Sequence, residues 1–145
     1  MTFELTSIKD AVHEVGEVSW LIPQLLEEES LMAIVGPPSS GKSFLATDLA
    51  VSLASQTPWM GIDDFTPERK CRVAYITPEG KRSTVARLAE QLEFRKINAN
   101  DVELSVSTGT LTGAGQEGYQ ELINYDPDAV FIDTWARATP GVDEN

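Results

Sequence analysis

A chain of 145 residues with 41% hydrophobic and 23% charged residues has the size and composition of one globular domain, which leaves no room for two. Eleven basic residues against 23 acidic ones give a formal net charge of −12, which opposes indiscriminate binding to nucleic acid by charge alone. No apolar run approaches the roughly 18 residues of a membrane span, the start lacks the basic stretch and apolar block of a secretory signal, and the single Cys71 excludes an internal disulfide or a thiolate-rich zinc site. A cytoplasmic protein without a membrane partner is expected.

In chain order, Ala11, Val12 and Val15 suggest a short helix, and Trp20-Leu21-Ile22-Pro23 suggests a segment packed against a sheet. Residues 31–35 form an apolar run that predicts the first buried strand. It passes into Gly36-Pro37-Pro38-Ser39-Ser40-Gly41, which must be loop, and then into residues 42–55, where Phe44, Leu45, Leu49 and Leu53 recur at helical spacing. A turn-rich stretch, 56–70, leads to a second strand over 72–77, which Pro78-Glu79-Gly80 ends. Ser83 then reads as a helix cap, with Val85, Leu88 and Leu92 on the buried face up to about Phe94. Residues 102–107 predict a third strand, 108–115 a polar glycine-rich loop, and 116–124 a helix carrying Tyr119, Leu122 and Ile123. Asp126-Pro127 stops that helix before a last strand over 129–133. Short apolar strands alternating with amphipathic helices predict an α/β fold with a mostly parallel sheet and helices on both faces. The chain ends twelve residues after Asp133, with no sequence left for a further crossover, so the domain is expected to lack its last strands.

Charge is unevenly spread. Residues 1–30 carry seven acids and one base, a net of −6, and residues 97–145 carry nine acids and one base, a net of −8. Residues 31–96 carry nine bases and seven acids, a net of +2, which marks the middle as the place for an anionic ligand. The sequence from Gly36 to Ser43 there matches G-x-x-x-x-G-K-[ST] in full, between a predicted strand and a predicted helix. Gly36 and Gly41 are expected to take positive φ and bring the backbone close to phosphates. Amides from about Ser39 to Ser43 form an anion nest at the positive end of the helix. Pro37 and Pro38 have no N–H and stiffen the loop's start. Lys42 is expected to reach the β and γ phosphates of ATP and the Ser43 hydroxyl to bind Mg²⁺, with Gly36, Pro37, Pro38, Ser39, Ser40, Gly41 and Phe44 lining the nucleotide.

Two acids are placed to act on that nucleotide. Asp133 follows the apolar strand Ala129-Val130-Phe131-Ile132, where it could accept a hydrogen bond from Ser43 or from a Mg²⁺-bound water, or could simply cap a turn. Glu79, just past the second strand, could orient and deprotonate the attacking water, be a solvated loop acid, or anchor Lys81 or Arg82. His13, the only histidine, lies in an acidic stretch and is expected to have no catalytic or metal role. Trp20, Trp59 and Trp135 are expected to pack under loops, although aromatic faces also stack on bases. Lys81, Arg82, Arg87, Arg95 and Lys96 form either a shallow nucleic-acid patch or a solvated helix face.

The phosphate loop, Ile76-Thr77-Pro78-Glu79-Gly80 and Phe131-Ile132-Asp133-Thr134 together resemble the RecA-like P-loop ATPases of the AAA class. More narrowly, residues 18–145 resemble the RepA-type hexameric replicative helicases of plasmids and phages. That likeness is carried by Trp20-Leu21-Ile22-Pro23, Pro58-Trp59-Met60-Gly61, Arg87, Asp133-Thr134-Trp135-Ala136-Arg137 and Asp143-Glu144-Asn145. The resemblance implies a RecA-like core over 18–145 after an extension over 1–17. It also implies a catalytic carboxylate at Glu79, Mg²⁺ held through Ser43 and Asp133, a homohexamer, and single-stranded DNA bound by elements outside this chain. Family members continue with a polar sensor strand, a His-rich segment and basic DNA-contacting elements; no arginine finger is assignable here, and Arg137 is the one candidate for a contact near the site. A non-catalytic nucleotide-binding or assembly module is the alternative. A small-molecule kinase ranks last, because an arginine-rich lid is missing from 97–145. The absence of a guanine-reading segment favours ATP over GTP.

Overall fold

Helix α1 (Ile8–Glu14) and a small antiparallel hairpin, β1 (Trp20–Ile22) with β2 (Leu26–Glu27), open the structure, a computed structural model that describes residues 5–14, 18–111 and 117–139. Val15, Gln116, residues 112–115 of the loop over 108–115 and Asp143-Glu144-Asn145 lie outside the described residues. Leu21 and Ile22 are buried in the main core, and the Leu21 carbonyl accepts the Glu68 amide at 3.1 Å, so 20–23 packs inward as its composition suggests.

Helix α2 runs over Lys42–Ser55, with both ends where the apolar spacing puts them. Gly41 before it and Gln56 after it are left-handed, which breaks the helix on either side. Leu49, Ala50, Val51, Leu53 and Ala54 are all buried, so the second half of α2 is covered nearly all round and carries little amphipathic contrast. Two single 3₁₀ turns, Trp59–Gly61 and Asp63–Phe65, occupy the turn-rich stretch. Trp59 is buried against Phe65 and its indole N–H donates to the Leu45 carbonyl at 3.3 Å; Trp20 is half-buried and Trp135 half-exposed.

The rest of the chain builds a three-stranded parallel sheet. Strand β3 (Val73–Ile76) leads through α3 (Lys81–Phe94) to β4 (Leu104–Ser107), and α4 (Glu117–Tyr125) leads to β5 (Ala129–Ile132) and α5 (Trp135–Ala138). The order is β4-β3-β5, with Tyr75 level with Val106 on one side and Phe131 on the other. Alternation separates the faces. Val73 and Tyr75, with Leu104, Val106, Ala129 and Phe131, pack on α2 and α3; Ile76 and Ile132 pack with Leu122 of α4 and Ala138 of α5.

Three expectations need correction. Residues 31–35 do not form a strand: the segment has no ladder partner among the described residues, and Leu31 and Val35 are 97% and 89% exposed. An apolar run becomes a strand only when a neighbouring edge supplies hydrogen bonds; β3 has both edges taken by β4 and β5, and 31–35 joins neither outer strand. Ser83 is not the cap of α3. Gly80, left-handed at φ 80°, precedes the helix, and the Ser83 hydroxyl donates back to the Gly80 carbonyl at 2.8 Å. The buried stripe of α3 is Thr84, Leu88 and Leu92: the two leucines are buried as expected, while Val85 is exposed and Thr84 takes its place.

Arg95 likewise leaves the proposed basic patch. Its guanidinium is buried between α2 and α3, ion-paired with Asp48, and donates to the Ser52 and Thr57 hydroxyls and the Pro58 carbonyl. Asp48 also accepts the Met60 amide at 2.9 Å, so one pair ties α2, α3 and the first 3₁₀ turn together.

Arg69 makes a more exposed tie, 2.8 Å from both Glu28 after the hairpin and Asp128 before β5. Hydrogen bonds from Arg69 and then Ser19 hold the Glu28 carboxyl below the usual carboxylate range. For Asp128 burial pushes upward, but the Arg72 amide and Arg69 outweigh it. Depressed folded values contribute stability that is present above the unfolded values near 4 and lost as pH falls through the folded ones. Arg69→Met is therefore expected to lower Tm by about 2 °C at pH 7, with the difference shrinking towards zero as unfolding is followed down to about pH 2.5. A difference that grows on acidification would contradict this account.

Candidate active site

The loop over 36–41 joins the unpaired 31–35 segment to α2, and residues 36–40 are exposed. Gly41 has φ 89°, a conformation that strains any side chain, and Ser39 is also left-handed at φ 63°. Gly36 is not left-handed, contrary to expectation. A Cβ there would lie 2.9 Å from the Ser40 hydroxyl, the end of an exposed side chain that can turn away. Lys42, the first residue of α2, folds its ammonium back over the loop and donates to the carbonyls of Gly36 at 2.8 Å and Pro37 at 2.7 Å. Phe44 is largely exposed and carries the Arg87 guanidinium 4.9 Å above its ring.

The strand-end acids are positioned by the divergence of β3 and β5. The chain leaves β3 for α3 on one face and leaves β5 for α5 on the other, which opens a crevice between their carboxyl ends. A cavity of about 300 Å³ lies there, lined by Ser43, Thr77, Glu79, Arg87, Asp133 and Arg137 among others. Ser43, Glu79 and Asp133 are thus brought together, whereas Lys42 stays over its own loop. Thr77 is buried and fixes the turn after β3: its hydroxyl donates to the Glu79 carbonyl at 2.7 Å and lies 3.3 Å from the Thr84 hydroxyl.

Each acid has a partner that its sequence neighbours do not suggest. Glu79 is held by Arg137 at 3.1 Å, across from α5, and not by Lys81 or Arg82. Asp133 accepts the Tyr75 hydroxyl at 3.1 Å, a donor different from Ser43 or a metal-bound water. Tyr75 is fully buried and stacked on Phe131 at 5.5 Å. Burial, reinforced by the Asp133 carboxylate, pushes the tyrosine hydroxyl above its ordinary value, so it remains a donor at any physiological pH. A second cavity of about 340 Å³ lies at the amino ends of the strands, around Lys70, Arg72, Asp101, Glu103 and Asp128. Arg72 is paired there with Glu103 and Asp128 with Arg69, and the cavity does not include the phosphate loop.

A family model described as AAA domain matches residues 2–145. The chain belongs to the AAA domain family. No curated protein and no solved structure matches it. AAA domains are P-loop ATPases, and the glycine loop before α2 has the G-x-x-x-x-G-K-[ST] pattern of that class. No helix among its described residues is long and apolar enough to cross a membrane.

The oxygen donors suit a hard divalent cation. The Ser43 hydroxyl and the Asp133 carboxylate border one cavity, and no group of three or more His, Cys, Asp or Glu gathers among the described residues. That donor set fits magnesium, which keeps most of its water and phosphate ligands, better than a cation that needs a full protein cage. Sequence reasoning missed Tyr75 and Thr77 in this AAA domain. The signal available was a hydroxyl-bearing residue within the buried strand, Tyr75, and one just after it, Thr77, since a buried hydroxyl must find a partner.

Proposed function

We propose that the chain is a Mg²⁺-dependent ATPase core, residues 18–145 after an extension over 1–17, of a DNA replication or recombination motor of the RepA-type helicase kind. The observation that carries the reading is the convergence of Ser43, Glu79 and Asp133 on one cavity at the carboxyl ends of β3 and β5. Lys42 exchanges the Gly36 and Pro37 carbonyls for the β and γ phosphates, which are stronger acceptors. Amides from Ser39 to Ser43 cradle the phosphates at the N-terminus of α2. Ser43 and Asp133 hold the metal, and Tyr75 orients Asp133. Bound Mg²⁺ supplies charge neutralisation on the phosphate oxygens. Glu79 takes a proton from water as its oxygen bonds to the γ phosphorus and the bond from phosphorus to the ADP oxygen breaks.

The unpaired apolar segment 31–35 and the outer edge of β5 support an ATPase sheet that contains further strands. A homohexamer, single-stranded DNA bound by elements beyond those described and a cytoplasmic setting belong to the same reading. A non-catalytic nucleotide-binding module is the second reading, favoured by one observation: Glu79 is already engaged by Arg137.

Thermal unfolding with and without Mg²⁺·ATP tests nucleotide binding directly. At about 100 times Kd the ligand contributes about 2.7 kcal/mol, so Tm is expected to rise by about 5–10 °C. Lys42→Ala is expected to abolish the rise. An unshifted midpoint in the native chain would sink both readings.

A further inference from the structure

We propose that Arg137 alternates between two partners, holding Glu79 in the nucleotide-free protein and moving to the terminal phosphate of a bound triphosphate, so that the carboxylate is released only when ATP is present. The inference rests on the nucleotide-binding reading above. Arg137 Nη1 lies 3.1 Å from Glu79 Oε1, and the side chains are 63% and 64% exposed. An ion pair that open contributes little to holding the fold. What it does control is the direction of the Glu79 carboxylate, which it turns towards α5.

The base of Arg137 is anchored while its side chain is not. Ala138 and Thr139 beside it are buried, the Leu111 amide donates to the Ala138 carbonyl at 2.7 Å, and the Thr139 hydroxyl donates to the Trp135 carbonyl at 2.9 Å. The guanidinium therefore swings from a fixed point on the wall of the cavity that also holds Ser43. A guanidinium offers the same planar fork to a carboxylate and to a phosphate. A terminal phosphate carries more charge than one carboxylate and outcompetes it, whereas ADP leaves the γ position empty and Arg137 stays on Glu79. Arg87, the other guanidinium on the cavity, is occupied over the Phe44 ring.

Equilibrium binding of a non-hydrolysable ATP analogue and of ADP, both with Mg²⁺, to the full chain tests the exchange. Arg137→Ala is expected to weaken the ATP analogue by about tenfold or more and ADP by less than about twofold, and Arg137→Lys to recover part of the loss. Glu79→Gln removes the competitor and is expected to tighten the ATP analogue several-fold, a gain that disappears in the Arg137→Ala, Glu79→Gln double variant. Equal weakening of both nucleotides by Arg137→Ala, or additive effects in the double variant, would overturn the exchange while leaving nucleotide binding intact. If the native chain binds neither nucleotide and Lys42→Ala changes nothing, the nucleotide-binding reading falls and the exchange falls with it.

Discussion

Glu79→Gln is expected to lower phosphate release from Mg²⁺·ATP by about 10²–10⁴-fold with no loss of ATP affinity. The substitution keeps the size of the side chain and removes its capacity to accept a proton. The turn that carries it is held by backbone and Thr77 contacts that do not involve the carboxylate: the Thr77 hydroxyl bonds to the Glu79 carbonyl and to Thr84, and Gly80 supplies the left-handed step into α3. Binding groups on Lys42 and Ser43 come from a different element, α2, and are untouched. The deficit is therefore expected in kcat and not in KM. Turnover unchanged by Glu79→Gln would remove Glu79 from the chemistry. Nucleotide binding without turnover in the native chain would favour the non-catalytic module.

Asp48→Ala is expected to cost about 3 kcal/mol of stability, a fall in Tm of about 6–12 °C. Arg95 and Asp48 are only 12% and 14% exposed, so removing the carboxylate strands a guanidinium between α2 and α3. The hydroxyls of Ser52 and Thr57 and the Pro58 carbonyl remain as partners, but none of them neutralises the charge. The Met60 amide loses its acceptor as well. Asp48→Asn, which keeps an acceptor for that amide, is expected to fall between native and Asp48→Ala. The exposed Arg69 pairs set the scale for comparison. A Tm loss for Asp48→Ala no larger than for Arg69→Met would mean that water reaches the Asp48 pair.

Both expectations depend on contacts that no local pattern in the chain announces. Arg95 follows Lys81, Arg82 and Arg87 along α3 and its end and reads as one more solvated base, until the packing of α3 on α2 closes over it. Glu79 in the turn after β3 and Arg137 in α5 after β5 follow different strands, and they meet because β5 inserts beside β3 and not beside β4. Tyr75 reaches Asp133 for the same reason: the parallel register sets Tyr75 level with Phe131, two residues short of the acid.

What the amino-acid sequence determined by itself is local. The phosphate loop and the full length of α2 follow from glycines and apolar spacing within a few residues, and the cores of β3 and β5 follow from short apolar runs closed by turn residues. Those features are legible because backbone conformation is governed by near neighbours. Only the tertiary structure decided whether an apolar run finds a partner and which polar group faces which. Residues 31–35 make the point most clearly, since they are as apolar as β5 and yet form no strand and lie mostly exposed. A strand exists through hydrogen bonds to another part of the chain, and that part is selected by strand order and crossover, not by the residues of the strand itself.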